Sequence, residues 1–251
     1  MERAEWLKQM RSMTEEMYDR FSPLYWVSWG FSPNETHLEY LKKFLARVVP
    51  GGAVLSAGCG AGRFDGFLLD AGHPVVGIDQ SAGMLARAKE HFPQVRYEKM
   101  GFQEMQFREE FDGLICMDAM EHVCPEDYPR ALRKFQEALK PGGVLYFTAE
   151  PEDTEEAQAA VASYERVKAR GLPVVPGEGV EGIYEAYEQM MALQPITPEL
   201  LVPDEVADRS VYHYYPPLEQ VRAWIDQAGL VIEEEGAGSE LHHFVARKKK
   251  E

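Results

Sequence analysis

The chain has 251 residues, enough for one large α/β domain with an insertion or for two small domains. An apolar fraction of 45% with 11% aromatics supplies a core and excludes a disordered chain, and no apolar run reaches the roughly 18 residues of a membrane span. The net charge of −16 repels phosphate backbones, which excludes nucleic acid as the expected partner and mildly favours a neutral or cationic small molecule.

The N-terminus is acidic and has no apolar stretch of the kind a signal peptide needs. Residues 2–20 are predicted as a helix, with Trp6, Met10, Met13 and Met17 on or near one face. An aromatic turn, Phe21–Trp26, follows. A second helix is predicted from Asn34, its N-cap, to Val49, where Pro50-Gly51-Gly52 ends it. The pattern then changes to short apolar runs at 53–57, 73–79, 94–98, 111–117 and 143–148, with helical patterns at 63–71, 81–91 and 125–139. Strands alternating with helices predict βαβ units and a parallel sheet covered on both faces. From about Glu150 to Tyr215 the alternation breaks. Helices are predicted at 152–170 and 183–193, and the segment reads as an inserted lid or substrate cap. A helix at 217–228, a strand at 230–235, a hairpin-like turn at Gly236–Ser239 and a strand at 241–247 close the chain. Arg247–Lys250 reads as a solvated tail. The expected division is 1–33, a helical cap; 34–150, the core; 151–215, the insertion; and 216–251, the return to the core.

Chemistry concentrates in Val54-Leu55-Ser56-Ala57-Gly58-Cys59-Gly60-Ala61-Gly62-Arg63-Phe64. A strand enters a glycine turn and leaves as a helix, so a ligand can approach bare backbone and free N–H groups. About 20 residues on, Val75–Asp79 is a buried strand ending in an acid, placed to accept from both hydroxyls of a ribose. Asp79 has a second reading as a helix N-cap, a role that Ser81 can fill instead. The dinucleotide fingerprint requires a glycine where Arg63 stands. An adenosine-bearing cofactor other than a dinucleotide is therefore favoured over NAD.

These pieces resemble the class I S-adenosylmethionine-dependent methyltransferases. Val54–Gly62 matches the family's first motif and Val76–Ser81 its ribose strand. Phe111–Met117 with Met120–Val123 matches the fourth strand and its sequel, and Leu139–Leu145 the entry to the fifth strand. The resemblance covers roughly residues 50–150, with Pro217–Lys248 fitting the terminal helix and strands. It implies a doubly wound α/β fold with seven strands in the order 3-2-1-4-5-7-6, the last antiparallel. It also implies S-adenosyl-L-methionine as cofactor and S-adenosyl-L-homocysteine as product. Carried over by position, Ala57, Gly58, Cys59 and Gly60 would line the methionine part and Asp79 would bind ribose. Gln80 and Met84 would flank the adenine, Gly101, Phe102 and Gln103 would approach its edge, and Met117 would lie near the sulfonium. Two positions depart from the family: Ser56 and Gly101 stand where acids are usual. Each loss would cost about 1–3 kcal/mol if a buried donor went unpaired, though Ser56 and the Gln103 amide can still accept.

The cofactor carries the methyl group, so the protein mainly positions and excludes water. A base is needed only where the acceptor must lose a proton. The candidates are His122, Glu150 and His213, with Glu121 beside them. His122 has an alternative reading as a packing histidine at a helix start. Tyr18 is expected over the cofactor; Tyr25, Trp26, Tyr212 and Tyr214 are candidate substrate contacts, alternatively packing under a cap. His242-His243 reads as structural, and Cys59 as a small packing residue rather than a nucleophile. Cys59, Cys116 and Cys124 are odd in number and irregularly spaced, which fits a reducing, cytoplasmic setting. No spacing resembles a closed metal site. The expected activity is methylation of an O, N or C atom of a small molecule. The alternatives are a cofactor-binding protein or non-methylating catalyst on the same fold, and behind it an NAD-dependent oxidoreductase. Oligomeric state is not legible.

Overall fold

The computed structural model describes residues 3–26, 33–151, 211–238 and 241–250, together with the backbone of 183–187. Strands β6 (Ile183–Tyr187) and β7 (Val211–Tyr215) form a separate antiparallel pair. Seven strands form the main sheet: β1 (Val54–Ala57), β2 (Val75–Asp79), β3 (Arg96–Lys99), β4 (Phe111–Cys116), β5 (Leu139–Ala149), β8 (Leu230–Ala237) and β9 (His242–Lys248). Their order is β3-β2-β1-β4-β5-β9-β8. Numbered within this sheet alone, that is the expected order 3-2-1-4-5-7-6. β1 to β5 run parallel, and β9 is antiparallel to both β5 and β8.

Among the described residues the α-helices are α1 (Arg3–Phe21), α2 (Glu35–Leu45), α3 (Asp65–Asp70), α4 (Ala82–His91), α5 (Tyr128–Ala138) and α6 (Leu218–Gln227). They cover the sheet in two layers, because every residue of β1 is buried and neighbours point to opposite faces. Val54 and Ile115 meet Phe44, Leu41 and Leu68 from α2 and α3. Leu55 and Leu114 meet Phe135, Leu132, Val221 and Trp224 from α5 and α6. α1 packs on α4, where its Asp19 Oδ1 accepts from the Ser81 hydroxyl at 2.6 Å and the Gly83 N–H at 2.7 Å. Asn34 caps α2, its side chain accepting from the His37 N–H at 2.8 Å.

Two expectations need correction. Residues 183–187 are not helix but strand, the β6 that pairs with β7. Ile-Tyr-Glu-Ala-Tyr alternates with period two and carries a β-branched and two aromatic residues, which suits a ladder once a partner is supplied. The expected helix at 152–170, residues 188–193 and the side chains of Tyr212 and His213 lie outside the described residues. The second correction concerns the strand expected at 143–148: α5 ends at Ala138, and β5 already begins at Leu139, which pairs with Phe111.

Candidate active site

β1 delivers the glycine loop to the carboxyl edge of the sheet. Gly58, Gly60 and Gly62 have φ of 64°, 53° and 83°, a left-handed series that only glycine adopts freely. A Cβ on Gly58 would lie 2.8 Å from the Ala119 Cβ and 3.0 Å from Phe102 Cζ. The loop therefore turns tightly back against the exit of β4. Asp79 ends β2 and meets this loop directly. Its Oδ2 accepts from the Gly60 N–H at 2.9 Å and its Oδ1 from the Ser81 N–H at 2.8 Å. Ser81, not Asp79, caps α4: its hydroxyl oxygen accepts from the Met84 N–H at 3.1 Å. Burial pushes the Asp79 carboxyl up to about 6, offset in part by the Ser81 and Gly60 donors.

Loop and acid face one cleft with ≈ 980 Å³ of empty space, part of it open to solvent. That is the scale of a site for a cofactor-sized molecule. Ala57, Gly58, Cys59 and Gly60 form its floor, and Asp79, Gln80 and Met84 one side. Gly101, Phe102 and Gln103 form the far edge, Met117 lies at the end of β4, and Tyr18 and Tyr25 cover the cleft from above. The structure thus brings together every residue expected at the cofactor. Burial, with the Asp65 and Asp79 carboxyls nearby, pushes the Cys59 thiol well up, so it is no ready nucleophile.

The expected catalytic residues fare unevenly. His122 lines the cleft, and its Nε2 lies 2.7 Å from the Tyr18 hydroxyl. Burial and the neighbouring Glu121 charge push the Tyr18 phenol well up, so it keeps its proton. Glu121 is buried 4.0 Å from His122 Nε2. Burial and then the charges of Glu150 and Asp118 hold its carboxyl toward the protonated form. Glu150 acts on the site through that charge and does not wall the cleft. Trp26 sits against Tyr25 and His91, with ring centroids 5.6 and 4.7 Å away, outside the cleft lining. Tyr214 is fully buried edge-on to Tyr128, a packing position.

A polar cluster at the β4 end was not expected from the sequence. Asp118 follows β4 with φ of 49°, a conformation that strains a residue with a Cβ. Its Oδ1 accepts from His37 Nε2 at 2.8 Å and from the Thr148 hydroxyl at 3.3 Å. Its backbone N–H donates to Thr148 Oγ1 at 2.8 Å. The guanidinium of Arg63 lies 3.2 Å from its Oδ2. Burial would raise the Asp118 carboxyl, but the His37 hydrogen bond and the charges of His37 and Arg63 outweigh it, and the group sits below its usual range. The available signal was position: an acid two residues past the end of a parallel strand, on the edge where such sheets bind ligands.

Comparison with known proteins matches residues 54–143 to a family described as a methyltransferase domain. The match takes in β1 to β4, which carry the glycine loop and Asp79. A ubiquinone biosynthesis O-methyltransferase of Coxiella burnetii is 30% identical to this chain over 120 residues, 46% of this chain and 50% of the relative. The chain therefore spans about half the length of the curated relatives it matches. The Burkholderia thailandensis 1,6-didemethyltoxoflavin-N1-methyltransferase, solved with S-adenosylhomocysteine, aligns with a TM-score of 0.63 at 16% identity, over 97% of this chain and 91% of that one. A Rhodobacter sphaeroides structure described as a zinc-dependent alcohol dehydrogenase aligns with a TM-score of 0.69 at 14% identity, over 94% and 98%. At such identities both show the fold alone.

Within this chain the Ser56 departure has a local counterpart. Asp65, in the first turn of α3, is fully buried, and its Oδ2 accepts from the Tyr97 hydroxyl at 2.7 Å. Burial pushes its carboxyl up to about 6, with Tyr97 and then Ser56 holding it down in part. An acid is thus present behind Ser56, one layer below the cleft floor. At Gly101 the nearest side-chain atom is Gln103 Oε1, which a Cβ would meet at 3.3 Å, and Glu104 Oε2 accepts from the Gly101 N–H at 3.1 Å.

Proposed function

We propose that this protein transfers the methyl group of S-adenosylmethionine to a small-molecule acceptor. The observation that carries the reading is the Asp79 carboxylate hydrogen-bonded to the glycine loop at the wall of one cleft. The residues fit the cofactor: Gly58 and Gly60 line the cleft with no Cβ, which leaves backbone open to a ligand there. Asp79 would take the ribose hydroxyls, and Met84, Phe102 and Gln103 would enclose the adenine. When bound, S-adenosylmethionine supplies an electrophilic methyl on a sulfonium.

The chain's own work is then to orient the acceptor, exclude water and receive a proton. Tyr18 and His122 are the pair that receives it. An acceptor hydroxyl placed against Tyr18 Oη loses its proton as Tyr18 passes its own to His122 Nε2. This relay favours an oxygen acceptor, which must be deprotonated. The O-methyltransferase named among the relatives agrees with it. Tyr25 would help to enclose the acceptor. A small acceptor rather than nucleic acid agrees with the charge of −16. The odd number and irregular spacing of the three cysteines support a reducing, cytoplasmic location, and no described helix is long and apolar enough to cross a membrane.

Incubation of the purified protein with methyl-labelled S-adenosylmethionine and panels of phenols, amines and carbon acids tests the reading. S-adenosylhomocysteine should form with at least one hydroxyl acceptor. Cofactor binding without turnover across all panels would favour a binding protein instead.

A further inference from the structure

Tyr18 can serve a proton relay only while its hydroxyl is held against His122. The next residue of α1, Asp19, does not line the cleft. Its Oδ1 instead accepts from two donors at the start of α4, the Ser81 hydroxyl at 2.6 Å and the Gly83 N–H at 2.7 Å. Three observations separate this contact from ordinary helix packing. First, Asp19 lies in the last turn of α1, the end of a helix that disfavours an anion. The same carboxylate sits at the N-terminus of α4, where the dipole and free N–H groups favour it. Its place is set by α4 and not by its own helix. Second, the joint has no slack. A Cβ on Gly83 would lie 2.6 Å from Ser22 Oγ and 2.8 Å from the Asp19 carbonyl oxygen. The Ser22 hydroxyl donates to that same carbonyl at 2.9 Å. Third, Ser81 faces two ways: its N–H donates to Asp79 and its hydroxyl to Asp19.

Two other polar contacts of α1 control Tyr18 less closely. Lys99 Nζ donates to Glu15 Oε1 at 2.6 Å, but the Lys99 side chain is 53% exposed, and such surface pairs hold little. Arg11 Nε donates to Asp127 Oδ2 at 3.0 Å, about two turns and roughly 10 Å of helix before Tyr18. Consecutive side chains on a helix point about 100° apart, so a contact at Asp19 fixes the rotation of α1 and with it the direction of Tyr18. A rotation of about 15° moves a side-chain tip about 6 Å from the helix axis by about 1.5 Å. That is enough to break the 2.7 Å contact between Tyr18 Oη and His122 Nε2.

We propose that Asp19 is a positioning residue for Tyr18: its clamp on Ser81 and Gly83 sets the Tyr18 hydroxyl against His122, at a fixed place relative to Asp79. The inference rests on the relay described under the proposed function. Asp19 touches neither acceptor nor cofactor and acts through Tyr18.

The test is nitrogen NMR of the full chain carrying labelled histidine, with the His122 signal identified by its loss in His122→Gln. It is read beside turnover of methyl-labelled S-adenosylmethionine with a panel of phenols. Tyr18→Phe should move the His122 Nε2 signal, because it removes the hydroxyl partner. Asp19→Ala should move it in the same direction, and Asp19→Asn, which keeps an acceptor oxygen, should move it less. Unchanged His73 and His243 signals certify that each variant is folded. In Asp19→Ala kcat should fall about tenfold to a hundredfold, as for a misplaced catalytic group. The acceptor KM and S-adenosylhomocysteine affinity should stay within about threefold, and Asp19→Asn should recover part of the rate. Asp19→Ala combined with Tyr18→Phe should be no slower than Tyr18→Phe alone, since both changes act on one contact. The proposal is overturned if Asp19→Ala leaves the His122 signal in place, or if the double variant loses the product of the two single losses. If Tyr18→Phe itself leaves that signal unmoved, the relay reading fails and takes the proposal with it. If the signal moves as expected and wild type turns over no phenol, the positioning stands and the phenolic acceptor is what fails.

Discussion

Asp65 offers a sharp physical test, because a fully buried carboxyl with only hydroxyl donors, Tyr97 and Ser56, beside it is expensive to ionise. Its folded-state pKa is raised from 3.8 to about 6 by burial. The folded chain therefore binds this proton more tightly than the unfolded chain. Stability associated with the group is present at low pH and is lost as pH rises from the unfolded value through the folded one. A shift of about two units corresponds to about 3 kcal/mol of destabilisation once the pH is well above 6. Asp65→Asn removes the charge but keeps a carbonyl oxygen for Tyr97. The urea-unfolding free energy of the variant, minus that of wild type, should grow by about 1.4 kcal/mol between pH 5 and pH 8. Other titrating groups such as Asp79 cancel in this difference. A difference that stays flat with pH, or that falls, would refute the assignment of a costly buried charge to Asp65.

Three further outcomes follow from the cleft. Gly58→Ala should lose about 1–3 kcal/mol of stability and most cofactor affinity, since φ is 64° and the new Cβ meets Ala119 at 2.8 Å; thermal unfolding and calorimetry check both. Cofactor affinity should fall about tenfold for each pH unit below 6, as the Asp79 carboxyl, raised to about 6 by burial, gains its proton; titrations in a pH series read this directly. Tyr18→Phe should lower kcat toward a hydroxyl acceptor by about tenfold to a hundredfold and shift its pH profile, with S-adenosylhomocysteine affinity within twofold of wild type.

What the sequence made legible followed the range of the interactions involved. β1, β2 and β4 are almost wholly buried, so each is a short, mostly apolar run soon followed or closed by a glycine or an acid, and local inspection finds it. Gly58, Gly60 and Asp79 are legible for the same reason: loop, strand and acid lie within one βαβ unit. β6 is different. Ile183–Leu193 contains Glu188, Met190 and Met191, good helix formers, and the strand arises only from pairing with Val211–Tyr215 across a long connection. The Asp118 cluster is non-local in the same sense, since His37, Arg63, Asp118 and Thr148 come from α2, the glycine loop, the β4 exit and β5. Tyr18 and His122, 104 positions apart, could each be named but not joined. Tyr214 misleads because an aromatic cluster before a core helix has the same composition whether it packs inward on Tyr128 or faces a ligand.

The most direct test of the account is a paired calorimetric titration of wild type and Asp79→Ala with S-adenosylhomocysteine and with NAD. The account predicts one S-adenosylhomocysteine site per chain, weakened at least tenfold in the variant, and no measurable heat from NAD. NAD binding at that cleft, or S-adenosylhomocysteine affinity indifferent to the loss of the Asp79 carboxylate, would contradict it.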